Sequence, residues 1–339
     1  MNAKKIIGLF SKARILVIGD LILDEYIVGS VDRISPEAPV PVVWAKERRF
    51  VPGGAANVAH NIRALDGKVA LLGVCGGDKH ADVLRKSLRC DGVDVSPIVA
   101  DASRHTTLKT RIIAGHQQIV RVDWEHTHAL SARLNESLIS FVEKHIKEYD
   151  ALIIEDYGKG VVNPQVLKAI RQIAASRETI MTVDPKEDHF QYYQGATSIT
   201  PNRKELENAV RNLKLKDTQN RFKFNSDQLF SDAEIERAAE EVMQYLSLHS
   251  LLVTLGEQGM RLFQAGKSSI HIPTVAQEVF DVSGAGDTVI ATFTLGLASG
   301  ASMLEAAHIA NYAAGLVVGK LGTATTSRQE LLARIAKGV

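Results

Sequence analysis

The stretch RILVIGD, residues 14–20, is apolar over Arg14–Ile18 on both faces of an extended chain and then stops at Gly19-Asp20. A strand with no polar face must be covered on both sides, which is the position of a strand in a parallel sheet between two helix layers. Outward from it the rhythm repeats. KVALLGVCG (68–76), ALIIED (151–156), TIMTVD (179–184) and LLVTLG (251–256) read as further strands, and a short one is expected near Ser198. Helical periodicity lies between them, at AANVAHNIRAL (55–65), DKHADVLRKSLRCDG (78–92), Leu134 to Lys147, after Asn163-Pro164, from Asn202 and over Ala233–Leu246. This alternation predicts an α/β fold with a doubly wound, mostly parallel sheet and helices on both faces.

Two segments break the rhythm. Residues 24–50 hold YIVGSV and PVPVVW around the polar turn DRISPEA, and residues 104–123 hold TTLKTRIIAGHQQIVRVD. Their β-branched residues with Gly and Pro punctuation predict strands, and together they are expected to form a small inserted β lid on one domain spanning 1–339. The polar stretch 212–232 lacks periodicity and is expected to be a surface loop.

The composition is that of an ordinary globular chain: 339 residues, 45% hydrophobic, 23% charged. Forty Lys and Arg balance 39 Asp and Glu, so no bulk field favours nucleic acid or an anionic membrane, and any anion must be bound locally. The two cysteines, Cys75 and Cys90, have no metal spacing. No apolar run approaches 18 residues, and MNAKKIIGLFSKARIL is too short and interrupted for a signal peptide, so a reduced, cytoplasmic protein is expected.

Three constellations can carry chemistry. In DVSGAGDT (281–288), before the small-residue helix VIATFTLGLASG, Gly284, Ala285 and Gly286 let backbone amides converge on an anion at a helix N-terminus. Asp287 is then either an ordinary first-turn acid or a general base for a hydroxyl beside that anion hole, and the glycine-rich context favours the base. Gly53, Gly54 and Asn57 offer close hydrogen bonding to sugar hydroxyls, or only a loop and a helix start. Asp20 and Asp24 follow the first strand, where parallel sheets present ligands; they are sugar ligands or solvated acids. Neither a P-loop nor a G-x-G-x-x-G fingerprint is present. His105, His116, His126 and His128 lack metal spacing, and Trp44 and Trp124 suit core or interface packing.

GGAANVA (53–59) and DVSGAGDTVIATF (281–293) resemble the two signatures of the ribokinase-like (PfkB) carbohydrate kinases, and the likeness covers essentially the whole chain. RISPEAPVPV, EDYGKG, QQIVRVD and NYAAGLVVGKLGTAT narrow it, being similar to the kinase domain of heptose-7-phosphate kinases. The resemblance implies a ribokinase-like fold and ATP-dependent, Mg²⁺-requiring phosphorylation of D-glycero-β-D-manno-heptose 7-phosphate at C1, in ADP-heptose and lipopolysaccharide core biosynthesis. It implies Asp287 as base and Gly284, Ala285 and Gly286 as anion hole. It places Asn202, Arg203, Lys204 and Glu205 near the triphosphate, with Glu205 facing Mg²⁺ through water. Thr254, Gly256 and Gly259 would form a nucleotide-side loop, although heptose kinases more often carry Ser and Arg there. Asn311, Gly315 and Gly319 would border the adenine, with Gly322-Thr323 nearby, and a monovalent cation is a candidate near Asp281 and Val282. A phosphosugar brings about two negative charges, for which Lys109, Arg111, Arg121, Lys159 and Lys186 are candidates, each otherwise a solvated cation. Homodimerisation through the lid is also usual in that family. The signatures leave open a kinase for ribose or fructose 6-phosphate, or a silent sugar-binding protein of the same fold. No HxGH motif is present, so only the kinase half of a bifunctional heptose enzyme is expected.

Overall fold

The computed structural model describes residues 2–338 except 116, 220, 225–227, 230, 277 and 321. Its strands are β1 (Arg14–Gly19), β2 (Leu21–Ile34), β3 (Pro41–Gly54), β4 (Lys68–Leu72), β5 (Val74–Cys75), β6 (Val99–Ala100) and β7 (Thr107–Ala114). They continue as β8 (Gln117–Trp124), β9 (Ala151–Glu155), β10 (Ile180–Asp184), β11 (Ser198–Ile199), β12 (Ser250–Thr254), β13 (Met260–Gln264) and β14 (Ile270–Ile272). The helices are α1 (Ala3–Leu9), α2 (Ala55–Ala64), α3 (Lys79–Cys90), α4 (Ala132–His145) and α5 (Pro164–Ala175). After them come α6 (Arg203–Lys216), α7 (Asp232–Leu246), α8 (Ala285–Ala298), α9 (Met303–Val317) and α10 (Arg328–Lys337).

The main sheet has the order β14-β13-β12-β11-β10-β9-β1-β4, parallel from β4 to β12, with β13 and β14 antiparallel at the edge. The doubly wound expectation holds, and β1 shows why. Leu16 and Ile18 belong to one core with Leu138, Ile170 and Val242, whereas Ile15 and Val17 belong to another with Val58, Leu84 and Ile290. Alternate residues of one strand thus enter two cores, one on each face, which leaves no place for a polar residue before Gly19. The chain proceeds from β1 to β4 on one side and returns to β9 on the other. The carboxyl ends of β1 and β9 therefore flank a topological switch point, where open α/β sheets bind ligands.

A second sheet has the order β3-β2-β7-β8, with β2 antiparallel to β3, parallel to β7, and β7 and β8 joined as a hairpin. Its strands reach further than their sequence pattern suggests: β2 starts at Leu21, directly after β1, and β3 runs through Gly54 into α2.

The expected loop at 212–232 needs correction. Helix α6 continues to Lys216, and Phe222, Phe224 and Leu229 are buried, with Phe222 edge-on to Tyr245. These apolar side chains are too widely spaced for a periodic pattern, yet they anchor the segment to the core. Among the described residues no helix is long and apolar enough to cross a membrane.

Candidate active site

At the end of β1, Asp20 is fully buried. Its Oδ2 accepts the backbone amides of Tyr157 (2.9 Å) and Lys159 (3.0 Å), and its Oδ1 accepts that of Val161 (3.1 Å). Burial, with the charge of Asp156 beside it, pushes its pKa up to about 6 against those amides. Asp20 was a candidate sugar ligand; the structure makes it a clamp on loop 157–161, with no surface left for a ligand. Asp24, four residues on, fits a ligand role better. It lies on β2, pairs with Arg111, and has Gly53 of β3 against its carboxylate. A Cβ on Gly53 would stand 2.5 Å from Asp24 Oδ2, so a side chain there would displace the acid.

Asp287 occupies the first turn of α8, 6% exposed. Gly284 caps the helix at φ +76°, a left-handed conformation, and a Cβ there would stand 2.8 Å from Thr323 and 2.9 Å from the Asn57 amide. No side chain caps the helix, so the turn through Gly284, Ala285 and Gly286 presents amides without a side-chain acceptor. Asn57 donates to Asp287 Oδ2 at 2.5 Å and the Tyr157 hydroxyl donates to Oδ1 at 3.2 Å. Burial pushes the Asp287 pKa up to about 6, while these two hydrogen bonds restrain the rise. A carboxylate so held is mostly ionised at neutral pH and basic enough to take a proton. Asn57 was a candidate for sugar hydroxyls. It is fully buried and instead grips Asp287, while Asn61 donates to its Oδ1 at 3.3 Å and is itself held by the Thr288 hydroxyl at 2.9 Å.

Two residues that sequence reasoning missed complete the centre. Glu155 ends β9 and Asp184 ends β10, directly paired in register. Glu155, Asp184 and Asp287 bring one oxygen each within 4.8 Å of one another. Both oxygens of Glu155 are buried without a donor, and burial with the charges of Asp184 and Asp287 drives its pKa well up. Asp184 is raised by burial, then by Glu205 and Asp287, and takes a hydrogen bond from Thr200 at 3.0 Å. Such a cluster needs a proton or a cation to neutralise it. The strings IIED and TVD both end in acids, and the strand-end position was the available signal.

Asn202 and Glu205 form a reciprocal cap on α6, at 2.9 and 2.8 Å, so the Asn202 Oδ1 is committed to the helix. Arg203 and Lys204 pair with Glu207 of the same helix, at 3.8 and 3.2 Å. Of the five candidate cations, Arg111 pairs with Asp24, Arg121 with Asp123 (3.0 Å), Lys159 with Glu125 (2.7 Å) and Lys186 with Glu187 (3.2 Å). Lys109 alone among them has no ion pair within the described residues; its ammonium lies 5.3 Å from the Tyr157 ring centroid, and burial lowers its pKa. Register puts Lys109 beside Asp24 and Asp123, and Arg111 beside Arg121 and Tyr26, on one face of the second sheet.

Along α9 and just beyond it, Gly315 and Gly319 line a cavity of about 380 Å³ with Glu278, Phe280 and Arg334. Asn311 does not reach it, because its amide donates to the Pro273 carbonyl at 2.7 Å. The loop after Thr254 is closed by the Leu255 amide on the Gly259 carbonyl, and Gly259 packs against Ile272 where no Cβ fits. Asp281 accepts the amides of Ser283 (2.9 Å) and Gly322 (3.1 Å). His105 stacks on His126, which meets His128 edge-on, and His116 lies outside the described residues. Trp44 and Trp124 are 70% and 58% exposed, so neither belongs to the core.

Comparison with known proteins bears on family and fold. The model of the pfkB family carbohydrate kinases matches residues 12–330. The bifunctional protein HldE of Trichlorobacter lovleyi is 42% identical over 339 residues, covering 99% of this chain and 66% of that protein. The HldE of Helicobacter pylori is 43% identical over 318 residues, covering 94% and 65%. The chain thus spans just under two thirds of the length of these relatives. In fold it is similar to the ribokinase of Arabidopsis thaliana complexed with ribose and ATP (TM-score 0.71, 20% identity, 95% of this chain and 98% of that one). It is similar also to phosphofructokinase-2 of Escherichia coli in complex with substrates and products (TM-score 0.75, 20% identity, 96% and 99%). On its signatures, its ribokinase-like sheet and the family match across 12–330, the chain belongs to the pfkB family of carbohydrate kinases, which phosphorylate an alcohol of a sugar.

Proposed function

We propose that the chain transfers the γ-phosphoryl group of ATP to the C1 hydroxyl of D-glycero-β-D-manno-heptose 7-phosphate, giving the 1,7-bisphosphate and ADP, in the cytoplasmic supply of ADP-heptose for lipopolysaccharide core. The observation that carries the reading is Asp287: a buried carboxylate at a glycine-rich helix start, held on both oxygens, with its pKa pushed up to about 6. Asp24 orients the sugar hydroxyls, Asp287 takes the C1 proton as attack develops, and the Gly284–Gly286 turn receives the charge of the transferring group. The second sheet acts as a lid that shields the reaction from water. Lys109, the one of the five candidate cations without an ion pair among the described residues, receives the sugar phosphate, with Arg121 and Lys159 close enough to act on its charge; an ammonium left without a carboxylate favours a phosphosugar over a neutral sugar. The nucleotide lies between the Thr254–Gly259 loop and the Gly315 and Gly319 cavity.

The acids suit magnesium. Glu155, Asp184 and Glu205 are hard oxygen donors, and the donorless oxygens of Glu155 fit a cation better than a void. Bound there, the ion would offset the charge of the triphosphate. The exposed apolar face of the lid, with Val120, Val122 and Trp124 on β8, supports a homodimer formed through it.

The test is a coupled ADP-release assay with Mg²⁺ on heptose 7-phosphate, fructose 6-phosphate, ribose and no sugar, with the product position read by phosphorus NMR. A C1 phosphate on heptose, with the others near background, is expected; turnover on another sugar would discard the acceptor, and no sugar-dependent turnover would discard the kinase.

A further inference from the structure

We propose that Tyr157 is a positioning residue of this site: its hydroxyl holds Asp287 Oδ1 while its ring seats the ammonium of Lys109, so that one side chain sets the base and the lid cation relative to each other. The inference rests on the kinase reading above. Its first support is the way the loop is pinned. Asp20 takes the amides of Tyr157, Lys159 and Val161. Asp156 takes the amide of Gly158 at 2.9 Å on one oxygen, and the Tyr193 hydroxyl and His189 ring, each at 2.7 Å, on the other. Two buried carboxylates thus fix the backbone on both sides of Tyr157, and the side chain this rigidity serves at the centre is the tyrosine.

The second support is what the two ends of the side chain meet. The hydroxyl lies 3.2 Å from Asp287 Oδ1, opposite the Asn57 amide on Oδ2. Two donors from two elements hold the carboxylate in one plane, and each oxygen keeps a lone pair for an incoming hydroxyl. Between a phenol and a carboxylate oxygen the phenol is the donor, so the contact holds Asp287 without taking its basic lone pair. At the other end, Lys109 rests over the ring at 5.3 Å without a carboxylate within ion-pair distance among the described residues. A ring face attracts an ammonium without occupying all its N–H donors, which leaves them for a phosphate.

Two variants separate the two ends. Tyr157→Phe removes only the hydroxyl; kcat on heptose 7-phosphate is expected to fall at least about tenfold, with both KM values within about twofold, as for a lost orienting contact felt in the transition state. Tyr157→Leu removes the ring as well and is expected to raise the KM for heptose 7-phosphate a further fivefold or so, without a matching rise for the same heptose lacking its phosphate. Affinity for ATP, measured by calorimetry, should match wild type in both and reports that the fold is intact. A Tyr157→Phe enzyme with wild-type kcat would overturn the proposal, and so would a KM for heptose 7-phosphate that Phe and Leu leave equal. Failure of the kinase reading looks different: wild type itself would turn over no sugar, and the role given to Tyr157 would fall with it.

Discussion

The side-chain amide of Asn57 on α2 donates to Oδ2 of Asp287 on α8 at 2.5 Å, across 230 positions of sequence. This bond joins the two family signatures, because Asn57 lies in GGAANVA and Asp287 in GAGD. Removing the donor with Asn57→Ala strands a buried carboxylate oxygen, and since the bond lowers the Asp287 pKa, its loss must raise it. The acid limb of the kcat profile should move to higher pH and kcat at pH 7 should fall by about tenfold or more. An unmoved limb would separate Asn57 from the base.

The wild-type profile has its own expected form. Asp287 must be ionised to accept a proton, and its pKa stands near 6. Activity should therefore fall as pH drops through about 6, well above the ordinary aspartate range, in titrations with saturating nucleotide. A limb near 4 would mean that burial does not act on the base as described.

Asp20 bears on stability. Because its folded pKa is raised to about 6 from 3.8, its contribution to stability is greatest below the unfolded value and is lost as pH rises through 6. Asp20→Asn abolishes that titration but offers only one accepting oxygen to three amides. At pH 7 it should cost about 1–3 kcal/mol in denaturant unfolding, and the cost should grow at pH 5, where wild type has regained its proton.

Lys109 and Arg121 lie on the same lid face but differ in their partners. Lys109→Met should raise the KM for heptose 7-phosphate about tenfold or more, because a charge-assisted contact is lost, whereas Arg121→Met, already paired with Asp123, should change it less. Steady-state kinetics with and without the sugar phosphate would show the difference. Equal effects would contradict the assignment.

Much of the architecture was legible because its signals are local. The RILVI run alone announces burial on two faces, and GAGD before a small-residue helix announces an anion-binding turn. What escaped depends on distant pairings. Glu155 and Asp184 are unremarkable strand-end acids until β9 and β10 align them, and only the fold shows that Glu155 lacks a donor. Asp20 and Asn57 were recognised as important, but their partners are loop amides and another side chain, which no spacing discloses. The pairs of Arg203 and Lys204 with Glu207, one turn away, likewise appear only once the helix is laid out.

The central claim is that Asp287 is the base of a sugar kinase, and the most direct measurement is heptose 7-phosphate turnover by Asp287→Asn beside wild type, with ATP affinity determined on both. The account predicts a C1-phosphorylated product from wild type and a loss of about a hundredfold or more in the variant, with ATP affinity nearly unchanged. Near-normal turnover by Asp287→Asn would contradict it.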